Sequence, residues 1–298
     1  MTDVTPSAIV GKSQKWALIA LFVGAISIGS SPIFVRLSEV GPMATAFWRV
    51  GLALIPFVIW FGGSGASSAG GRPRQLKDHL LLASPGVFLA IDLIFWHLAL
   101  HHTSVANATL LSNMAPIFVT LGSWLLFRSR ITPTFLTGLA LAIAGVIILK
   151  GGPLALGDGD LFGDSLALTA AVFYAGYIMM VGRLRSRFST VVIMLWSTAA
   201  AAVTTLPAAL IMEPVLFPWT LFGWLVVIGL AWLTHAAGQG MIAFALAWLP
   251  PAFSSLTLLV QPVVASLLAW VILSEPLGMT QAIGGAIVLF GILVARRG

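Results

Sequence analysis

The chain has 298 residues, 59% of them hydrophobic and 8% charged, with a formal net charge of +6. A water-soluble domain carries about 25% charged residues, so a soluble fold is excluded and a membrane protein is the class that remains. Cysteine is absent, which removes disulfides and thiolate chemistry.

Residues 1–15 are polar, lack a secretory cleavage pattern, and are expected to form a short disordered tail on the cytoplasmic side. Ten apolar stretches then approach the roughly 20 residues a membrane-spanning helix needs. They cover 16–35, 43–61, 80–100, 105–127, 134–150, 161–181, 191–211, 221–245, 252–273 and 280–295. The turns between them carry Gly, Pro, Asp or Arg, as helix ends do. The connection 62–78, rich in Gly and Ser and then basic, reads as a flexible surface loop.

Alternating the ten spans puts twelve of the fifteen basic residues on the side of the N-terminus, from Lys12 and Lys15 through Arg72, Arg128, Arg130 and Arg187 to Arg296 and Arg297. Arg36 and Lys150 fall on the other side, and Arg49 lies within a span. Excess Lys and Arg marks the cytoplasmic face, so both termini are expected there. Glu39, Asp158, Asp160, Asp164, Glu213 and Glu275 all sort to the outer side.

Residues 106–152 align without a gap on 252–298, an offset of 146. Ala106, Leu110, Pro116, Trp124, Gly138 and Gly145 meet Ala252, Leu256, Pro262, Trp270, Gly284 and Gly291. The earlier spans match more weakly, through Trp48 with Trp196 and Ala99-Leu100 with Ala245-Leu246. Five spans per half is an odd number, so the second copy enters from the opposite face. The expected organisation is a first five-helix repeat over 16–152 and a second, inverted one over 153–298. The fold class is therefore an all-α membrane protein of ten transmembrane helices in two inverted five-helix repeats, an arrangement that builds a midplane site between two gates in secondary transporters.

Several polar side chains lie within these apolar spans. Apart from Asp164 in the first turn of the sixth span, Asp92 is the one acid inside a span, and Trp96 follows it one turn later on the same face. An intramembrane carboxylate faces a cavity or a partner; Asp92 reads either as a receiver of an ammonium group or proton, or as a helix-packing hydrogen bond. His97 and His101 are four apart, but no third metal ligand accompanies them, and His97 reads better as a gate or cavity residue. His235 and Gln239 form a similar pair in the eighth span, read evenly as cavity or interhelical hydrogen-bonding groups. Asn107, Asn113 and Gln261 are amides in the two duplicated, proline-containing helices; an amide beside such a kink satisfies a freed carbonyl or offers donors to a carboxylate. Gln261, directly before Pro262, is the better binding candidate, and Asn107 reads as a cap. Tyr174 and Tyr177, the only tyrosines, sit near the middle of the sixth span and either line an aromatic-accepting cavity or pack in the core. Arg49, about two turns from a span end, reads as snorkelling or as a partner for Glu39 or a helix carboxyl end. Trp124 and Trp270 read as interface anchors. The small residues Ala20, Gly24, Ser27 and Ser31, and the four repeat-matched glycines, read as packing faces.

Gly11-Lys12-Ser13 lacks the earlier glycine of a phosphate loop, and Asp158-Gly159-Asp160 lacks the length and closing Glu of a calcium loop. No His-Glu-x-x-His or Gly-x-Ser-x-Gly motif occurs. The sequence therefore implies no enzyme, no metal, no cofactor and no nucleic-acid partner.

Phe47-Trp48-Arg49, Ala99-Leu100, Ala115-Pro116, and Ser274-Glu275-Pro276-Leu277 followed by Gly284 and Gly291 occur in an order that resembles the ten-helix EamA-type branch of the drug/metabolite transporter superfamily. Within it the chain is most similar to the aromatic amino-acid exporters. In the first half the acidic turn is replaced by Arg128-Ser129-Arg130. The resemblance implies a bacterial inner-membrane carrier that exports aromatic and other neutral amino acids by alternating access, with a multidrug or other metabolite exporter as the alternative. The implied partners are an amino-acid substrate and membrane lipid. Asp92, Trp96, His97, Asn113, Tyr174, Tyr177, His235, Gln239 and Gln261 are the substrate-binding candidates. Because one chain holds both halves, it is expected to work as a monomer.

Overall fold

Apolar runs in a hydrocarbon solvent must satisfy their own backbone groups, and helices do so within one segment. A computed structural model of the chain is accordingly all helix, with no strand among the described residues. It describes residues 6–63, 71, 73–103, 105–150, 160–274 and 277–297, without the side chains of 6–12, 100 and 105–107. Arg72, Asp158, Glu275, Pro276 and the side chains of Lys12 and Asn107 thus lie outside the described residues, as do residues 64–70 of the connection 62–78.

Among the described residues, eight helical stretches are long and apolar enough to cross a membrane: Ser13–Leu37, Pro42–Gly63, Leu76–Ala99, Ala108–Phe127, Leu161–Leu184, Thr190–Met212, Leu221–Ala245 and Pro251–Leu273. Two shorter apolar helices, Pro133–Leu149 and Met279–Ala295, occupy the positions of the expected fifth and tenth spans. The first helix, α1 (Pro6–Gly29), begins ten residues before the expected span, inside the stretch read as a disordered tail. Proline in the first turn is pre-organised for helix, which favours this earlier start.

Proline breaks four of the stretches. After α1 comes α2 (Ser31–Leu37), with Pro32 in its first turn. The second stretch divides into α3 (Pro42–Gly51) and α4 (Leu54–Gly63) ahead of Pro56. The ring of Pro56 frees the Leu52 carbonyl one turn earlier, and the Trp232 indole donates to that oxygen at 3.1 Å. After α5 (Leu76–His102), the duplicated helices divide in parallel, into α6 (Val105–Ser112) and α7 (Ala115–Phe127), and later into α13 (Pro251–Thr257) and α14 (Val260–Leu273). Both end in the same way. Arg128 (φ 51°) and Ser274 (φ 56°), one repeat apart, are the two non-glycine residues with left-handed backbone among those described.

α8 (Pro133–Leu149) lies against α15 (Met279–Ala295) through glycine. Gly138 faces the Gly291 carbonyl and Gly145 faces that of Gly284, each glycine approaching the other's backbone. The pairing runs in opposite chain directions, so the two helices are antiparallel. α9 (Leu161–Leu184) packs on α5, and α10 (Thr190–Met212) packs on α3 and α5. The seventh stretch starts as α11 (Leu221–Gly229), winds as a π-helix over Leu230–Gln239, and resumes as α12 (Gly240–Ala245). The small face of α1 meets it: Gly24 lies against the Gly238 carbonyl, and Ser27 donates to the Leu233 carbonyl at 2.7 Å. Trp124 and Trp270 are both more than half exposed, as interface anchors are.

At the end of the bundle opposite the N-terminus, two acids are exchanged between connections. Glu213 accepts from the Met43 amide at 2.8 Å, in the first turn of α3. Glu39 accepts from the amides of Trp219 and Thr220 at 3.1 Å and from the Thr220 hydroxyl, just before α11. The Trp48 indole adds a 2.6 Å bond to the Leu216 carbonyl. The hydrogen bond from Thr220 holds the Glu39 carboxyl below the usual carboxylate range. A depressed carboxylate contributes stability that is present above its unfolded pKa, about 4.3, and is lost as pH falls through the folded value. Glu39→Gln is therefore expected to flatten the fall of melting temperature below about pH 4. A pH profile identical to that of the unsubstituted chain would show that Glu39 adds nothing there.

Candidate functional site: a buried polar cluster around Arg49

Arg49 sits in the last turn of α3 and is half-buried. It neither snorkels nor meets Glu39, whose carboxylate is taken up by Thr220 and its neighbours. Its one hydrogen bond is a long one, 3.5 Å from Nη1 to the Ser31 hydroxyl, and its Nε is buried with no partner among the described residues. The guanidinium is instead within electrostatic reach of several interior groups. Its charge acts on Asp92 and His97 of α5, on Tyr177 and Tyr174 of α9, and on His235 of the π-helical segment.

Asp92 is half-buried and makes no hydrogen bond among the described residues. It does not close an ion pair with Arg49, whereas Asp78 pairs with Arg187 at 2.8 Å, tying the start of α5 to the turn after α9. Arg49 and Asp92 are thus opposite charges within electrostatic reach of each other that do not close an ion pair. Unpaired charges at membrane depth are costly and mark functional sites.

Around these poles lie neutral polar groups. The rings of Tyr174 and Tyr177 stack with centroids 5.9 Å apart. The Tyr177 hydroxyl donates to Gln239 Oε1 at 3.4 Å, and the Tyr174 hydroxyl lies beside the amides of Gln239 and Gln261. Gln261 Nε2 is buried with no hydrogen-bond partner within bonding distance among the described residues. His235 engages the Thr198 hydroxyl through Nε2 at 3.0 Å and packs edge-on to Phe57, while its Nδ1 has no partner among the described residues. The π-helical winding around His235 and Gln239 is a rare geometry that occurs frequently at functional sites. His97 donates from Nδ1 to the Leu93 carbonyl at 2.6 Å, and Trp96 stands edge-on to it at 4.9 Å.

Eight of the nine sequence candidates therefore belong to one neighbourhood: Asp92, Trp96, His97, Tyr174, Tyr177, His235, Gln239 and Gln261. Asn113 does not join it through any described contact. Its Nδ2 donates to the Thr109 carbonyl at 2.7 Å, satisfying the backbone where α6 breaks into α7. The centre of the cluster, Arg49, was legible only as an intramembrane cation. Its distance from a span end favoured snorkelling, and nothing local to it shows the inward direction.

The sequence profile of the EamA-like transporter family matches residues 15–150 and again 161–297, one match in each half. The chain belongs to the EamA-like transporter family, within the drug/metabolite transporter superfamily, and is a multi-span membrane protein. An uncharacterized transporter of Archaeoglobus fulgidus is 26% identical over 289 residues, covering 96% of this chain and 98% of its own. The uncharacterized transporter YetK of Bacillus subtilis is 29% identical, with 96% and 88% covered. The pseudopaline exporter CntI of Pseudomonas aeruginosa is 28% identical over 144 residues, about half of each chain. A solved crystal structure superposes with a TM-score of 0.82 over 94% of this chain and 98% of the other, at 20% identity, which shows the fold.

Proposed function

We propose that this EamA-family transporter is a secondary carrier that exports amino acids, aromatic and other neutral ones included, across the bacterial inner membrane by alternating access. The observation that carries the reading is the unpaired couple of Arg49 and Asp92 in one buried cluster. A zwitterion brings a carboxylate and an ammonium group on one small frame, the complement of a separated cation and anion. Charge-assisted hydrogen bonds to Arg are planar and two-pronged, suited to a carboxylate. Asp92 would take the ammonium group, Gln261 and His235 would donate or accept at its edges, and Tyr174, Tyr177 and Trp96 would bound the side chain. The resemblance of the motif order to the EamA-type branch, and within it to the aromatic amino-acid exporters, is in keeping with this reading.

The transport cycle in this reading uses ten spans as two inverted five-helix repeats, 16–152 and 153–298, with both termini cytoplasmic. The antiparallel glycine pairing of α8 with α15 and the repeated left-handed caps at Arg128 and Ser274 support it. So does a cleft open on the N-terminal side while the other end is clasped by Glu39 and Glu213. One chain would suffice for a complete path.

Uptake of labelled phenylalanine, leucine and threonine into vesicles reconstituted with the purified protein tests the proposal. Saturable flux of one or more, competed by other neutral amino acids, is expected; no flux of any amino acid removes the substrate claim. Flux that rises with an imposed pH gradient would add proton coupling. A second reading, export of another metabolite, draws on the half-length likeness to a pseudopaline exporter. A purely cationic drug fits less well, because Arg49 stands beside the acid that would receive it.

A further inference from the structure

We infer that the cleft on the N-terminal side is a binding site for a phosphate ester, of the kind an anionic phospholipid headgroup presents. The cleft has a volume of about 470 Å³, within the range of small-molecule sites and larger than a lone inorganic ion. Three cations from three separate parts of the chain converge on it. Lys15 comes from α1, Arg130 from the turn between α7 and α8, and Arg296 from the end of α15. Ser129 and Thr132 add hydroxyls on the same turn, and no acidic residue lines the cleft among the described residues.

Basic residues on this face also serve topology, which by itself requires no pocket. Two observations go beyond that. Ser123, 2% exposed, lines the cleft, and its buried Oγ has no hydrogen-bond partner among the described residues. A buried hydroxyl left unpaired costs free energy unless something occupies the space beside it. The second is the turn itself. Arg128 takes the left-handed cap (φ 51°), and the Ser129 amide donates to the Ser123 carbonyl at 3.1 Å, so the turn carrying Arg130 is fixed against the residue with the free hydroxyl. Arg128-Ser129-Arg130 stands where the second copy has Ser274-Glu275-Pro276, and a basic turn is what phosphate recognition requires. The walls contributed by Leu18, Phe135 and Phe253 are apolar and fit the glycerol and upper acyl carbons of a lipid.

The test measures binding to the intact purified protein by quenching of its tryptophan fluorescence. The probes are dioctanoyl phosphatidylglycerol, dioctanoyl phosphatidylcholine and glycerol 3-phosphate. Saturable binding of phosphatidylglycerol, with phosphatidylcholine at least about tenfold weaker, is the expected result and identifies a lipid headgroup. Saturation by glycerol 3-phosphate alone supports the same site with a soluble phosphate ester as its source. In either case the double variant Arg130→Gln/Arg296→Gln should lower affinity at least about tenfold, and Ser123→Ala should lower it further. Lys77→Gln removes an exposed charge outside the cleft and should change nothing. Equal affinity for the choline lipid, absence of saturable binding, or an equal loss in Lys77→Gln would each overturn the inference. Because binding is read without flux, its failure is separable from failure of the transport proposal.

Discussion

Arg49→Gln is expected to cut amino-acid flux in reconstituted vesicles by one to two orders of magnitude while leaving the melting temperature level or raised. A hydrogen bond from a charged donor contributes about 1.5–3 kcal/mol, which corresponds to a loss of roughly tenfold to a hundredfold in binding. The expectation for stability runs the other way. Arg49 makes one long bond, to Ser31, and its Nε has no partner among the described residues, so the fold gains little from it. A buried cation without a counter-ion is a cost that its removal relieves. Arg49→Lys keeps the charge but loses the two-pronged geometry and should fall between the two. Asp92→Asn should weaken flux of zwitterions while sparing carboxylate analogues that lack the ammonium group. Full flux in Arg49→Gln would dismiss the carboxylate anchor. A loss of flux matched by a drop in melting temperature would make Arg49 a structural residue.

The largest effect on stability is expected at the crossing of α8 and α15. A Cβ at Gly284 would lie 2.3 Å from the Leu149 amide nitrogen and 2.6 Å from its Cα. At Gly138 it would lie 2.4 Å from the Ala295 nitrogen, at Gly145 2.6 Å from that of Val288, and at Gly291 2.5 Å from that of Ala142. These neighbours are backbone atoms, so no side chain can swing away and the helices must part. Overpacking of this kind costs about 1–3 kcal/mol for each added group. Each single Gly→Ala change should therefore lower the melting temperature in detergent, and Gly→Val should lower it more. Gly138 and Gly291 face each other, so one separation of the helices relieves both. Their double substitution should cost less than the two singles added together. Gly62→Ala is the control, since a Cβ there meets nothing within 4 Å. Equal melting temperatures for Gly62→Ala and Gly284→Ala would remove these glycines from the packing account.

This interface also shows how far pattern alone reached. Gly138, Gly145, Gly284 and Gly291 were legible as a small-residue face because their spacing repeats along one helix side, and close backbone approach in a membrane requires such residues. That the two faces meet each other, and in reciprocal pairs, is visible only in the fold. The same holds for proline. Pro32, Pro56, Pro116 and Pro262 coincide with helix breaks, whereas Pro85 and Pro207 sit in unbroken helices. Proline removes a donor wherever it stands, but the surroundings decide whether the helix parts there.

Sequence by itself determined the class, the placement of the apolar helices, and the inventory of polar groups within them, because each rests on composition and one-dimensional spacing. Hydrocarbon leaves few ways to bury a backbone, so hydropathy alone places the helices. The direction of a side chain and its partners depend on crossings between segments far apart in the chain. Tertiary structure alone therefore turned Arg49 inward, set Asn113 to its own backbone, wound a π-helix around His235 and Gln239, and clasped Glu39 and Glu213 onto connections more than a hundred residues away.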